Sequence, residues 1–313
     1  MKKVNGILAP IPTFIDKEGK IDLDANKNVC DSLCETEIGG LYILGTTGEF
    51  AYFSLEQRKK LISFLCNDCE FSKPMIMCVQ HWNTDKAVEL TEYALKNGVK
   101  LISALLPIYF PLSDQGIISY FTAIHEVIEE YDSNIPLYVY HIPILPSTAE
   151  IKAEIIVKLA DSGVINGIKD SVFDYTHAKE ILEGVGKGFN FLCGTEPLLV
   201  DAFREGSVID RFDGGVFTGV NILPNTYARL FKAAKEGDKN SFNRIWPYID
   251  ELIALWDDGV YYLPHVCKYG MKYLGYDVQD IPCQPLDLIN NKKKEQTQRI
   301  IDNTKKFWGS HDV

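Results

Sequence analysis

The chain has 313 residues, 46% hydrophobic and 24% charged, the balance of a folded globular protein large enough for one α/β barrel or two smaller domains. A formal net charge of −11 argues against nucleic acid and anionic membranes as partners, but not against a small anionic substrate, which needs only local donors. No apolar run approaches the roughly 18 residues of a membrane helix; no signal-type apolar core follows Lys2 and Lys3, and eight cysteines in that setting read as reduced thiols, so a cytoplasmic location is expected.

Short apolar runs alternate with longer amphipathic ones in steps of roughly 30 residues, the length of one βα unit. The first predicted strand covers 6–12 and the first helix 24–37, with Asp22 or Asp24 as N-cap. A strand over 40–44 leads to a helix that Ser54 caps, with Gln57 in capping-box position, running to about Cys69. Strand 75–79 and helix 84–96 follow, the helix closed by Asn97-Gly98. Then come strand 101–105 with helix 113–131, strand 136–141 with helix 148–161, and strand 164–169 with helix 175–183. Strand 189–193 precedes a helix opened by Pro197 and ending near Gly206, and strand 214–218 precedes a helix opened by Pro224.

Eight such units predict an α/β fold, a closed (β/α)8 TIM barrel over residues 1–235. The strands are apolar throughout rather than alternating, as a sheet covered on both faces requires. Residues 236–313 hold three further helical patterns, 239–256, 262–273 and 290–307, read as a C-terminal helical extension packed on the barrel.

In such a barrel the chemistry stands at the C-terminal ends of the strands. The sixth strand ends on Lys169, and a lysine closing an apolar strand is unusual because an unpaired buried ammonium is costly. Two readings stay open on this stretch alone: Lys169 reaches the surface and pairs with Asp170, or it is buried, loses its proton and serves as a Schiff-base nucleophile. Gly45-Thr46-Thr47-Gly48 after the second strand offers two hydroxyls and free N–H groups that suit a carboxylate; it equally suits a glycine-rich turn bonded to itself. Tyr140, one strand over from Lys169, is placed to shuttle protons, with Thr47 and Tyr109 able to extend a hydroxyl relay. His141 alternates with Tyr140 along its strand and is read as structural. Cys66 and Cys69 form one CxxC; without a matched second pair they read as thiols with no metal or redox role.

Taken together, Gly45-Thr46-Thr47-Gly48-Glu49, Pro107-Ile108-Tyr109, Tyr140-His141-Ile142-Pro143, Gly167-Ile168-Lys169-Asp170-Ser171 and Gly194 resemble the dihydrodipicolinate synthase / N-acetylneuraminate lyase family of class I aldolases, over essentially the whole chain. The resemblance implies Lys169 as Schiff-base lysine and Tyr140 as acid/base. It implies that Thr46 and Thr47 hold the carboxylate, that Thr47 joins the proton relay, and that Tyr109 completes it at a neighbouring subunit's site. It also implies a homotetramer of tight dimers, a keto acid with a pyruvate moiety as substrate, and neither metal nor organic cofactor.

Within the family the chain looks closer to the lyase branch. The synthase branch has an arginine where Ile144-Leu145-Pro146-Ser147 stands here, and a guanidinium fork is hard to replace. Tyr109-Phe110-Pro111-Leu112 is similar to the lyase pattern, and Ser171, Glu196 and Thr218 stand where that branch binds sugar hydroxyls, with Gly194 a further substrate-binding candidate. Pro197 replaces a second acid, His141 an asparagine, and an apparent insertion at 207–212 is expected near the rim of the site. The expected activity is cleavage of a 2-keto-3-deoxy sugar acid, N-acetylneuraminate among the candidates, to pyruvate and an aldehyde. The alternatives are a 4-hydroxy-tetrahydrodipicolinate synthase or sugar-acid dehydratase on the same scaffold, and a non-catalytic keto-acid-binding regulatory protein.

Overall fold

The computed structural model describes residues 3–108, 110–143, 150–256 and 263–308. Eight short strands, β1 (Gly6–Pro10), β2 (Gly40–Ile43), β3 (Met75–Cys78), β4 (Ile102–Leu105), β5 (Leu137–His141), β6 (Gly167–Asp170), β7 (Asn190–Cys193) and β8 (Gly214–Val216), follow one another in a closed parallel barrel. Between them run α1 (Leu23–Cys34), α2 (Leu55–Asn67), α3 (Thr84–Lys96), α4 (Asp114–Asp132), α5 (Ala153–Asp161), α6 (Tyr175–Gly184) and α7 (Glu196–Glu205). After β8 come α8 (Pro224–Glu236), α9 (Lys239–Ile253), α10 (Leu263–Leu274) and α11 (Asn291–Trp308). Nearly every strand residue is buried, which is why the strands read as apolar runs.

The caps act as their residue types dictate. The Asp22 carboxylate accepts from the Ala25 N–H, and Ser54 and Gln57 exchange both bonds of a capping box. Gly206 and Gly237 end α7 and α8 at φ of 73° and 67°, a conformation that costs glycine little. The expected α3 is met residue for residue, but β1, β6 and β8 are shorter than predicted. Residues 218–221, given to a strand and its sequel, form a 3₁₀ turn instead. Helix α5 begins at Ala153, not at 148, and residues 148–149 lie outside the described residues.

The chain divides into two compact units, residues up to 6 with 74–216, and residues 7–73 with 217–313. In the first, Tyr138 stands opposite Gly167, whose added Cβ would fall 2.5 Å from the Tyr138 ring, so a large residue requires a small neighbour. The Tyr138 hydroxyl donates to Asn190 Oδ1 at 2.8 Å, and Asn190 in turn holds Val4 through both its N–H and its carbonyl. Ser207 meets the Tyr175 hydroxyl at the start of α6, but the remainder of the 207–212 segment is not at the site's rim, as the sequence suggested. It precedes β8, at the strand's N-terminal end, and Arg211 there donates to the carbonyls of Leu182, Val185 and Gly186 at the end of α6. In the second unit α9 packs on α8, and α10 packs on α11 and on the 218–221 turn.

Candidate active site

The register of β5 and β6 sets Tyr140 directly opposite Lys169 and His141 opposite Asp170. Successive strand residues face opposite sides, so the first pair shares one face and the second pair the other. Lys169 is buried, 5% exposed, with Nζ 3.8 Å from the centroid of the Tyr140 ring, and Tyr140 is itself 2% exposed. The surface reading of Lys169 is thereby overturned. Its expected partner on that reading, Asp170, turns to the other face and meets His141. Burial pulls the Lys169 amine from the usual 10.5 down to about 7; the nearby Cys78 and Glu196 pull the opposite way without reversing it.

Glu196 and Ser171 are buried at the strand ends of the same unit. Ser171 Oγ donates to the Gly194 carbonyl at 3.4 Å, and an added Cβ at Gly194 would fall 2.1 Å from that oxygen. Gly194 thus permits the close approach of the two strand ends. The other unit brings Thr47 and Thr218 together, their hydroxyls 3.1 Å apart, while Thr13 Oγ1 donates to the Gly48 carbonyl at 2.8 Å. Thr46 is half-buried in the same turn. Tyr109 lies outside the described residues, as do residues 144–147, which carry no arginine.

Two clusters escaped the sequence reading. The first is His141, Asp170 and His177, whose ligand atoms lie within 4.8 Å of one another, the one such group among the described residues. Hydrogen-bond accounting makes it a clamp rather than a metal centre. The Ile151 N–H donates to His141 Nε2 at 3.0 Å, so that nitrogen must accept and Nδ1 must carry the proton it presents to Asp170 Oδ1 at 2.9 Å. A metal on Nδ1 would turn Nε2 into a donor facing a donor. His177 Nε2 stands 4.0 Å from Asp170 Oδ2, beyond hydrogen-bond reach, and among the described residues neither buried atom has a hydrogen-bond partner. The clamp locks the strands that carry Tyr140 and Lys169, and only the alternation rule applied to both strands together could have found it. The structural reading of His141 agrees with it.

The second cluster gathers around Glu49, the last residue of the threonine-bearing motif. Its carboxylate is buried among His265, Lys268 and Cys283. No local pattern links residues more than 200 positions apart. Elsewhere, Cys34 on the same helix and Cys69 both come near enough to Cys30 on α1 to disfavour its thiolate, a proximity the sequence reading did not match. Burial pushes these thiols up, Cys66 to about 11, which makes them poor thiolates. All eight cysteines are free. No helix among the described residues is long and apolar enough to cross a membrane.

Comparison with known proteins places the chain in a family. A probable 2-dehydro-3-deoxy-D-pentonate aldolase of Escherichia coli K12 is 24% identical over 96% of this chain and 97% of its own length. A 4-hydroxy-tetrahydrodipicolinate synthase of Rickettsia bellii is 28% identical over 91% of this chain and 92% of its own. The fold matches that of the Ruminococcus gnavus sialic acid aldolase with a TM-score of 0.86 at 22% identity, covering 98% of this chain and 100% of that one. The sequence profile of the dihydrodipicolinate synthetase family matches residues 3–304, and the chain therefore belongs to that family of pyruvate-dependent class I aldolases and lyases.

Proposed function

We propose that the protein cleaves a 2-keto-3-deoxy sugar acid to pyruvate and an aldehyde through a Schiff base on Lys169. The observation that carries the proposal is the buried Lys169 amine, pulled down to about 7 and seated over the Tyr140 ring. An amine at that value is substantially unprotonated at neutral pH and therefore nucleophilic.

Lys169 Nζ attacks the keto carbon, and the carbinolamine loses its hydroxyl as water with a proton from Tyr140. The iminium so formed is the electron sink. Tyr140, now a phenolate, takes the proton of the C4 hydroxyl; the C3–C4 bond breaks and its electron pair moves into the iminium, leaving an enamine and a free aldehyde. Protonation at C3 and hydrolysis by water release pyruvate and restore the amine. Thr46 and Thr47 hold the substrate carboxylate, and Thr47 passes protons toward solvent with Tyr109. Ser171, Glu196, Thr218 and the Gly194 backbone meet the hydroxyls of the departing aldehyde. The working assembly is a homotetramer of tight dimers, each Tyr109 serving a neighbour's site.

Support for the sugar-acid reading comes from the pentonate aldolase similarity and from the absence of arginine in Ile144-Leu145-Pro146-Ser147. Pro197, where the lyase branch has a second acid, favours a shorter sugar acid over N-acetylneuraminate. The synthase reading rests on the 28% similarity to the Rickettsia enzyme. Borohydride reduction in the presence of pyruvate, read by mass spectrometry, is expected to give one adduct on Lys169; no adduct would favour a keto-acid-binding protein. Turnover is then compared on 2-keto-3-deoxy-gluconate, N-acetylneuraminate, and aspartate semialdehyde with pyruvate. Activity confined to the last mixture would replace the aldolase reading by the synthase.

A further inference from the structure

Two non-glycine residues among those described have left-handed backbones, Leu44 at φ 58° and Glu49 at φ 53°. They bracket the Gly45-Thr46-Thr47-Gly48 turn. A side chain makes this conformation unfavourable, so it persists only where surrounding structure imposes it. The turn is also tight. A Cβ on Gly48 would lie 3.1 Å from the Leu44 Cα and 3.2 Å from the Ile11 carbonyl.

What imposes the conformation at Glu49 is visible in its side chain. Oε1 accepts from His265 Nε2 and from the Cys283 N–H, both at 3.2 Å. Oε2 accepts from Lys268 Nζ and, at 3.5 Å, from the Cys283 thiol. Lys268 also donates to the Ile281 carbonyl at 3.0 Å. His265 and Lys268 are three apart on α10 and therefore share a face. Cys267, on the same helix, donates its thiol to the Thr218 carbonyl at 3.2 Å, and Thr218 is the residue whose hydroxyl meets Thr47. One helix thus holds the turn from behind at Glu49 and from the side at Thr218.

We propose that Glu49 is a positioning residue. Its carboxylate, gripped by α10 and the 281–283 segment, holds Thr46 and Thr47 in the arrangement that receives the substrate carboxylate. The C-terminal helices are then part of the substrate site. The proposal rests on the reading of Thr46 and Thr47 as the carboxylate-binding pair. A charged anchor suits the task because it is short of alternatives: once buried, the carboxylate must keep all its donors, and it drags the strained turn with it.

The test measures half-saturation by pyruvate and the saturating rate of borohydride trapping in the full-length protein. Thr47→Val, which keeps the shape and removes one hydroxyl, is expected to raise half-saturation about ten-fold. Glu49→Gln sets an amide N–H₂ against the Lys268 ammonium. It is expected to raise half-saturation at least about ten-fold while leaving the saturating rate within about three-fold. The Glu49→Gln, Lys268→Met double variant removes the facing donors and is expected to recover part of the loss. His265→Ala, which deletes one donor of four, serves if Glu49→Gln does not fold, and is expected to raise half-saturation about three-fold. A purely structural role would lower the melting temperature and leave half-saturation untouched; that outcome in a folded Glu49→Gln or His265→Ala protein overturns the proposal. Unchanged half-saturation in Thr47→Val removes the carboxylate reading itself, and this proposal with it.

Discussion

Lys169 and Lys268 are both buried, yet they do opposite things. Lys268 is fully enclosed on α10, with its ammonium on the Glu49 carboxylate and the Ile281 carbonyl. Lys169 lies near the end of β6 over the face of Tyr140, and burial there outweighs the opposing pull of Cys78 and Glu196. Glu49 records the same contrast from the acid's side. Burial would push its carboxyl up, but the hydrogen bond from His265 and the charge and hydrogen bond of Lys268 together hold it below the ordinary range. Burial alone therefore does not make a lysine reactive. It lowers the Lys169 amine, which lies over the Tyr140 ring, and makes a tie of Lys268, which meets a buried carboxylate.

The strongest way to break this contrast is to remove each amine in turn. Lys169→Met is expected to abolish pyruvate trapping. It is also expected to stabilise the fold by about 1–2 kcal/mol, because a buried titratable group is replaced by an apolar one of similar length; calorimetry at pH 7 checks the second half. The stabilisation should shrink as pH rises. Between pH 7 and 10.5 the unfolded chain binds more protons at Lys169 than the folded one does, so wild-type stability gains with pH across that window. Lys268→Met is expected to destabilise by about 3–5 kcal/mol, the cost of leaving the Glu49 carboxylate buried without its cation. Denaturant unfolding of Lys268→Met beside the Glu49→Gln, Lys268→Met double variant should show the double as the more stable of the two.

Tyr140→Phe sharpens the catalytic half. Loss of the acid/base hydroxyl is expected to lower kcat by about 10²–10⁴, while slow imine trapping persists because the amine and its surroundings are kept. Wild-type turnover in that variant means another group moves the proton. The mildest change concerns the clamp behind the strands. Asp170→Asn retains an acceptor for the His141 N–H, and is expected to lower kcat less than about ten-fold with pyruvate half-saturation unchanged. A larger loss would show that the carboxylate's charge, and not only its hydrogen bonds, supports the Lys169–Tyr140 geometry.

How far the sequence carried the reading depended on whether the signal was local. Ser54 and Gln57 announce a helix start because the capping box spans four residues, and the eight strands announce themselves through apolar runs that end in glycine, proline or polar clusters. Lys169 stood out because a lysine has no business closing such a run. Its burial, which decides between nucleophile and surface residue, depends on packing that no short window contains. The His141–Asp170–His177 clamp needed the register between two strands, and the Glu49 anchor needed contacts from Glu49 to residues 216, 219 and 234 positions away. Most of the 207–212 segment was misplaced at the rim because an insertion is visible in sequence while the end of the barrel it decorates is fixed by strand direction.

The central claim is that one amine is held largely unprotonated near neutral pH by burial beside Tyr140. The direct measurement is the rate of borohydride trapping with pyruvate across pH 5 to 10, with the adduct mapped by mass spectrometry. The account predicts a single adduct on Lys169 whose rate rises with a midpoint near 7 and then levels. An adduct on another lysine, or a rate still climbing toward 10.5, would contradict it.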